Sequence, residues 1–150
     1  MQNLLAEYHE KLARNNYKLT SQRKDILTVL INNKERHFSV EDLYNEVKKI
    51  NPDVGLATIY RNLELFCSLN ITHMLEFESD YKHYELISGD DHHHHLICMN
   101  CNKIIEFHDE DLMEFEEGLA REYDFEMVKH YIKFYGYCRD CQNSNVKELE

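Results

Sequence analysis

Two Cys-x-x-Cys pairs constrain the fold of this chain more than any other feature. Cys98 and Cys101 form the first pair, Cys138 and Cys141 form the second, and 36 residues separate them. Four thiolates on two such turns make a closed tetrahedral zinc site. The interval exceeds the usual short zinc-ribbon spacing, and a strand-helix-strand insertion accounts for it. The fold therefore has to bring the two ends of this insertion together.

A redox dithiol of the thioredoxin type is the alternative for a single Cys-x-x-Cys pair. Two pairs, each following a predicted strand, favour structural zinc instead. The total of five cysteines also speaks against a disulfide framework, because an odd number leaves one unpaired. The fifth cysteine, Cys67, lies on a predicted helix, where we expect a small core residue.

A run of histidines precedes the first cysteine pair, in the segment DDHHHHLICMNC (90–101). Affinity tags lie at chain ends, so an internal run needs another explanation. Alternate side chains of a strand point to opposite faces, which places His93 and His95 on one face and His92 and His94 on the other. The run therefore predicts two metal sites. Three residues elsewhere can complete them, although spacing alone favours a solvated surface residue over a ligand for each: His37, Glu85 and Glu106.

The charge distribution separates the two halves of the chain. Residues 1–75 carry 10 basic and 9 acidic side chains, a net charge of +1, whereas residues 76–150 carry 7 and 19, a net charge of −12. The acidic half suits cations, and the first half can meet a polyanion if its basic residues share a face. With no apolar run near the roughly 18 residues of a membrane helix and no signal-peptide pattern, we expect a cytoplasmic protein without a membrane partner.

The predicted elements give an α+β fold of two domains. Apolar spacing predicts helices over 2–16, 20–33, 39–50 and 56–70, and NPDVG (51–55) joins the last two as a helix-turn-helix. A hairpin over 71–87 completes a winged-helix domain, 1–87, and SGDD (88–91) is the expected hinge. Strands around Cys101, a helix over 109–123 and an alternating strand over 126–138 form a small α/β domain, 92–150.

The first domain offers candidate contacts to DNA. Thr58, Tyr60 and Arg61 lie on the first turns of the second helix of the pair, and their side chains suit a major-groove surface. Tyr60 could instead belong to the core, and Arg61 could be a solvated charge. Lys18 precedes a helix cap and Arg23 lies on the first turn of that helix, where phosphates are commonly held.

Three classes of function are compatible with these features. The first is a metal-gated transcription factor, the second a His/Cys metalloenzyme or redox protein, and the third a zinc-stabilised interaction module. The sequence offers no evident nucleophile–base pair and no phosphate-binding glycine loop, which disfavours an enzyme with a small organic substrate. The near-neutral first half with its helix-turn-helix disfavours the third class.

Four segments of the chain resemble the ferric uptake regulator family of metal-dependent bacterial repressors. They are YKLTSQRKDIL, GLATIYRNLELF, HHHHLICMNCNKIIEF and YGYCRDC, and the resemblance extends from about Asn16 to Cys141. It implies a cytoplasmic repressor with an N-terminal winged helix and a C-terminal α/β dimerisation domain. Such a homodimer binds palindromic double-stranded operator DNA when it is loaded with divalent metal.

The resemblance also implies roles for individual residues. Cys98, Cys101, Cys138 and Cys141 match a structural zinc site. A regulatory site is matched by His37, Glu85, His93, His95 and Glu106. A further site is matched by His92, His94 and His130. Lys18 matches a lysine that enters the minor groove, and Tyr60 and Arg61 match residues of the recognition helix.

Two departures affect the further site. His94 stands where many family members have aspartate, and Met113 stands where they have a glutamate ligand, with Glu110 and Glu114 nearby. These differences put the site in doubt or change its metal preference.

The metal sensed is the harder question. Peroxide-sensing members typically have aspartate at the positions of Glu85 and Glu106, so the glutamates speak against that branch. Zinc-sensing members can also carry a histidine run and are the alternative. Histidine nitrogens and carboxylates accept Fe(II), Mn(II), Co(II) or Zn(II), and availability decides among them. We favour iron as the regulatory metal.

Overall fold

The computed structural model describes residues 2–76, 82–87, 93–128 and 130–143. The chain folds into two compact units, Met1–Asp91 and His92–Glu150. The predicted hinge, 88–91, lies outside the described residues. No helix in the described part of the chain is both long and apolar enough to cross a membrane.

The first unit begins with four helices, each close to its predicted position. They are α1 (Gln2–Arg14), α2 (Ser21–Asn32), α3 (Val40–Ile50) and α4 (Leu56–Ser68). The predicted cap of α2 is confirmed, since the Thr20 hydroxyl accepts the backbone N–H of Arg23 at 3.3 Å. Ser39 caps α3 in the same way by accepting the N–H of Asp42 at 3.0 Å. Such caps fix where each helix begins.

A three-stranded antiparallel sheet completes the first unit in the order β1-β3-β2. The strands are β1 (Phe38–Ser39), β2 (Thr72–Glu76) and β3 (Lys82–Leu86). The predicted hairpin is β2 and β3, although its turn falls outside the described residues. The two-residue strand β1 was not predicted, because such a short segment shows no alternation. Together α2, α3, α4 and the sheet form the winged-helix arrangement.

One continuous apolar core holds the first unit together. Apolar side chains from all four helices and the sheet are buried in it, including Leu12, Leu27, Leu43, Leu63 and Phe66. These residues recur at helical spacing, so each helix turns one stripe inward. The outer stripe of α4 is left for other contacts.

In its described residues, the second unit contains a three-stranded sheet in the order β5-β4-β6 and two helices. Its elements are β4 (His94–Cys98), β5 (Ile104–Phe107), α5 (Glu110–Glu122), β6 (Lys133–Gly136) and α6 (Arg139–Asn143). β5 pairs antiparallel with β4, and β6 pairs parallel with it. A parallel pair requires a long crossover, which α5 supplies.

The strand predicted over 126–138 is wrong in its extent, since β6 spans Lys133–Gly136 alone. Its partner β4 has five residues, and the ladder runs from His95 opposite Lys133 to Cys98 opposite Gly136. Among the described residues of 126–132 the polarity alternates, but the ladder with β4 begins only at Lys133. Val128, which the alternation placed on one side of the strand with Phe134, lies outside β6 and is exposed. Alternation predicts a strand only where another strand is available to pair with it.

Candidate metal centres and DNA-binding surface

The sheet of the second unit brings the two cysteine pairs together. Parallel pairing aligns Cys98 with Gly136 at the same end of β4 and β6, so the second pair follows directly beside the first. Asn102 closes the first turn in the left-handed conformation, with φ 56°, which asparagine tolerates. Its N–H donates to the Cys98 carbonyl at 2.9 Å.

The four sulfurs lie at distances suited to one tetrahedral ion. Each cysteine has its Sγ within 4.8 Å of the other three, and Cys101 Sγ lies 3.7 Å from Cys138 Sγ. Bonds of 2.3 Å to a central zinc give a sulfur–sulfur distance of about 3.8 Å in a regular tetrahedron. The four sequence-predicted cysteines therefore form a donor set that fits zinc, and Cys67 lies in the other unit, bonded to the Thr72 hydroxyl at 3.3 Å.

The thiols in this cluster differ in acidity. Burial raises the pKa of Cys98, but backbone N–H groups, first among them that of Cys138, outweigh this effect and bring the pKa to about 6. Asn100 lowers the pKa of Cys141, whereas burial and hydrogen bonds with the other three thiols raise it to about 12. One thiolate thus forms readily at neutral pH. Cys141 needs an added positive charge to lose its proton at that pH, which a bound zinc would supply.

The first unit contributes a His–carboxylate pair. Antiparallel pairing of Phe38 with Tyr84 places the preceding His37 opposite Glu85, and His37 Nε2 lies 2.8 Å from Glu85 Oε2. Glu85 is buried and His37 is half-buried. Two donor atoms of this kind are an incomplete coordination sphere for a divalent ion, since four or more ligands are usual.

The second unit contributes a group of two histidines and a carboxylate. His95 lies directly opposite Glu106 in the β4–β5 ladder. The ring of His93 lies 4.9 Å from that of His95, centroid to centroid. His93 and His95 thus lie together, as their spacing predicts. The ring of His108, which sequence reasoning did not single out, lies 6.1 Å from that of His93.

A third donor group lies on the other face of β4. His94, Glu116 and His130 each offer a donor atom within 4.8 Å of the other two. His130 Nε2 lies 3.3 Å from Glu116 Oε1, and the rings of His94 and His130 lie 5.6 Å apart. His94 is 1% exposed, and its Nδ1 is buried without a hydrogen-bond partner. His92, predicted for this site, lies outside the described residues.

The carboxylate of this third group was missed by sequence reasoning. Glu116 lies three residues after Met113 on α5, nearly one helical turn further along the same side. Helical spacing from Met113 points to it, whereas the two glutamates singled out from the sequence, Glu110 and Glu114, are exposed. Burial lowers the pKa of His94, and neighbouring imidazoles lower it further against the opposing effect of Glu116. The ring is thereby kept neutral, the form that binds a metal.

The candidate DNA-binding residues lie on α4 and around the start of α2. Tyr60 is 43% exposed and Arg61 is exposed, so neither belongs to the core. Thr58 is half-buried on the same turn, and Lys18 is exposed just before the Thr20 cap. Arg23 is half-buried and contacts protein groups on both segments. The side chains suited to contact base edges and those suited to contact phosphates thus all lie in the first unit.

Comparison with known proteins agrees with this arrangement. The model of the Ferric uptake regulator family matches residues 14–135. The chain is 38% identical over 152 residues to the Ferric uptake regulation protein of Bacillus subtilis, with 100% of both chains covered.

Solved structures of this family also resemble the chain. The ferric uptake regulator of Helicobacter pylori, described as having three functional metal-binding sites, aligns with a TM-score of 0.79 and 26% identity, over 96% of this chain and 95% of that one. The ferric uptake regulator of Francisella tularensis, solved with iron, aligns with a TM-score of 0.69 and 32% identity, over 84% and 95%. With its winged helix, its four-cysteine cluster and its histidine-rich donor groups, the chain belongs to the ferric uptake regulator family of metal-responsive transcription regulators.

Proposed function

We propose that this protein is an iron-responsive repressor that binds palindromic operator DNA as a homodimer. The observation that carries the proposal is the pair of incomplete donor groups: His37 with Glu85 in the first unit, and His93, His95 and Glu106 in the second. One divalent ion bound by both groups would fix the orientation of the two units. Members of this family are regulators rather than enzymes, and no catalytic role is assigned to any of these side chains.

Iron is the regulatory metal that the donor chemistry and the relatives favour. Three imidazoles and two carboxylates suit Fe(II), and Mn(II), Co(II) or Zn(II) can substitute for it. The relative from B. subtilis is named for ferric uptake, and the F. tularensis structure holds iron. Glutamates at 85 and 106 speak against peroxide sensing, and zinc sensing is the alternative, supported by the histidine run.

A structural zinc is proposed for Cys98, Cys101, Cys138 and Cys141. The sulfur separations and the four-thiol chemistry fit it, and reduced thiols fit a cytoplasmic protein. An additional divalent site is proposed for His94, His130 and Glu116, with His92 as a further ligand. Glu116 there replaces the carboxylate that Met113 cannot provide.

Homodimerisation is supported by an uncovered apolar row on the sheet of the second unit. Leu96 lies opposite Ile105 on one side and Phe134 on the other, and all three are exposed. Side chains at matching positions of adjacent strands share one face. A second copy of the chain, covering this row, would remove it from water.

Metal gating follows from the geometry that a dimer must present to DNA. Two recognition helices enter successive major grooves only when their spacing is about 34–36 Å or a multiple. An ion that selects this orientation raises DNA affinity, and by linkage DNA raises metal affinity by the same factor. Lys18, Arg23, Thr58, Tyr60 and Arg61 are the proposed DNA-binding residues.

The test replaces His93 with alanine and measures DNA binding with and without Fe(II) or Mn(II) in the absence of oxygen. We expect zinc content and dimerisation to survive while metal-stimulated binding collapses, a loss of about 1–3 kcal/mol of coupling. His9→Ala is the matched control, because it removes an exposed histidine of α1 that belongs to none of the donor groups. A His93→Ala protein that responds to metal as the parent does would refute the proposed switch.

A further inference from the structure

We infer that Arg23 and Asn62 are positioning residues that hold the segment carrying Lys18 in fixed register with the recognition helix α4. The inference rests on the proposed DNA binding and adds to it a coupling between minor-groove and major-groove contacts. Neither residue needs to touch a base for this role. All of the contacts involved lie within the first unit.

The guanidinium of Arg23 joins two separate segments. Its Nε donates to Asn62 Oδ1 on α4 at 3.1 Å, and its Nη1 donates to the Lys18 carbonyl at 2.6 Å. The guanidinium carbon also lies 5.7 Å from the ring centroid of Tyr17. A planar group with fixed donor directions holds two acceptors at a set separation, which a lysine ammonium cannot do.

Asn62 is fixed from its own side. It is 8% exposed, and its Nδ2 donates to the Thr58 carbonyl one turn earlier at 2.7 Å. Both ends of its amide are therefore used, with the oxygen directed to Arg23 and the nitrogen to the helix backbone. This orientation presents Oδ1 to the guanidinium and discourages rotation of the amide.

The Lys18 backbone is held in the same way. Its carbonyl accepts from Arg23 and also from the Thr20 N–H, at 3.1 Å. The chain is thereby pinned just before the cap of α2, while the Lys18 side chain remains exposed. Arg23 links this point to the turn of α4 that carries Thr58 and lies beside Tyr60.

Such a link matters for selectivity more than for folding. The buried side chains Ile59, Leu63 and Phe66 already anchor α4 in the core. Base-edge contacts, however, require placement within roughly 0.5 Å. Loss of the link therefore leaves a folded domain whose two DNA-contacting segments can shift relative to each other.

The experiment uses the full zinc-loaded chain with Mn(II). The probe is a duplex that the parent protein selects from a random-sequence pool, compared with a scrambled duplex of the same composition. We expect Asn62→Ala to weaken binding to the selected duplex by about fivefold, the usual effect of one lost hydrogen bond, with binding to the scrambled duplex unchanged. Asn51→Ala is the matched control, since it removes an amide hydrogen bond of the same kind, from Asn51 Nδ2 to Asp25 at 2.7 Å, and leaves the hydrogen bonds of Arg23 in place.

A double-mutant cycle tests the coupling itself. In a Lys18→Ala background the effect of Asn62→Ala should fall below about twofold, because the segment it positions no longer carries the contact. Fully additive losses would overturn the inference. Arg23→Lys keeps the charge for a phosphate contact but cannot bridge both acceptors. It should therefore lose selectivity in the same way while the salt slope of binding stays that of the parent, and this variant decides the matter if Asn62→Ala unfolds.

The outcomes separate this inference from the proposed function. A parent that selects no sequence from the pool overturns the proposed function and the inference with it. A selective parent whose Asn62→Ala and Asn51→Ala variants bind alike overturns the inference alone.

Discussion

The two units of this chain reach stability in different ways. The first buries apolar side chains from four helices and a sheet in one core. In the second, Ile97 and Cys98 are the buried hydrophobic residues among those described, and no residue of α5 is buried. Many of its large apolar side chains are exposed, among them Leu96, Ile105, Phe115, Phe125 and Phe134.

The second unit therefore depends on groups that a single chain does not provide. A domain of roughly 60 residues buries too little surface for comfortable stability by itself and commonly needs a metal or a partner. The second unit has a donor set that can bind a metal and an apolar row that a partner can cover. We therefore expect the first unit to tolerate loss of metal and partner, and the second to fail without them.

The largest effect is expected from Cys98→Ser. A structural zinc can contribute on the order of 10 kcal/mol to folding, and three thiolates hold it far less well than four. The variant should lose zinc and its dimer, with unfolding of the second unit, while the helical signal of the first unit persists. Zinc analysis and thermal unfolding followed by circular dichroism measure this.

Cys67→Ser is the matched control for that change. Cys67 belongs to the first unit and is bonded to Thr72, so zinc content should remain that of the parent. If Cys98→Ser kept its zinc and its melting temperature, the dependence of the second unit on the cysteine cluster would be disproved.

A smaller effect is expected from Phe134→Asp. Phe134 is 52% exposed in the apolar row, so a charge there costs little in a single chain but is buried without a partner in a dimer. We expect dimer affinity to fall by about 2–4 kcal/mol, the range of an interface hot spot. Sedimentation equilibrium of the zinc-loaded protein measures it. Val128→Asp, exposed but outside the row, should leave the dimer intact, and equal weakening by both variants would exclude the row as the interface.

Much of the first unit could be predicted from sequence because its patterns are local. The Thr20 and Ser39 caps and the apolar stripes of four helices depend on neighbours within a few residues. The strand β1 escaped prediction because its pairing with β3 is set by residues about 45 positions away. Local periodicity carries no information on such distant partners.

In the second unit, the sequence identified most of the metal-ligating residues but not every group that they form. The cysteine spacing predicted the four-sulfur cluster, and alternation predicted that His93 and His95 lie together. Helical spacing from Met113 points to Glu116, but only the position of α5 beside His94 of β4 selects it among the acidic residues of that helix. The strand predicted around β6 was too long for a similar reason, since the extent of β6 is set by its pairing with β4 and not by the alternation of its own residues.

The smallest effect is expected from Tyr60→Ala. We expect exposed aromatic side chains to contact DNA in the first unit and a second copy of the chain in the second. Tyr60 lies on the outer face of α4, so its removal should leave the melting temperature and the dimer unchanged. Operator affinity should fall by about 1–3 kcal/mol with relaxed sequence preference, through lost contact with base edges. Lys18→Ala should instead weaken binding to all sequences alike and reduce the salt slope by about 1, as expected for one phosphate contact. Titration of the metal-loaded dimer with selected and scrambled duplexes at several salt concentrations distinguishes the two. If Tyr60→Ala left operator affinity unchanged, the assignment of α4 to the major groove would be wrong. If Tyr60→Ala dissociated the dimer, the exposed aromatic side chains of the first unit would not be reserved for DNA.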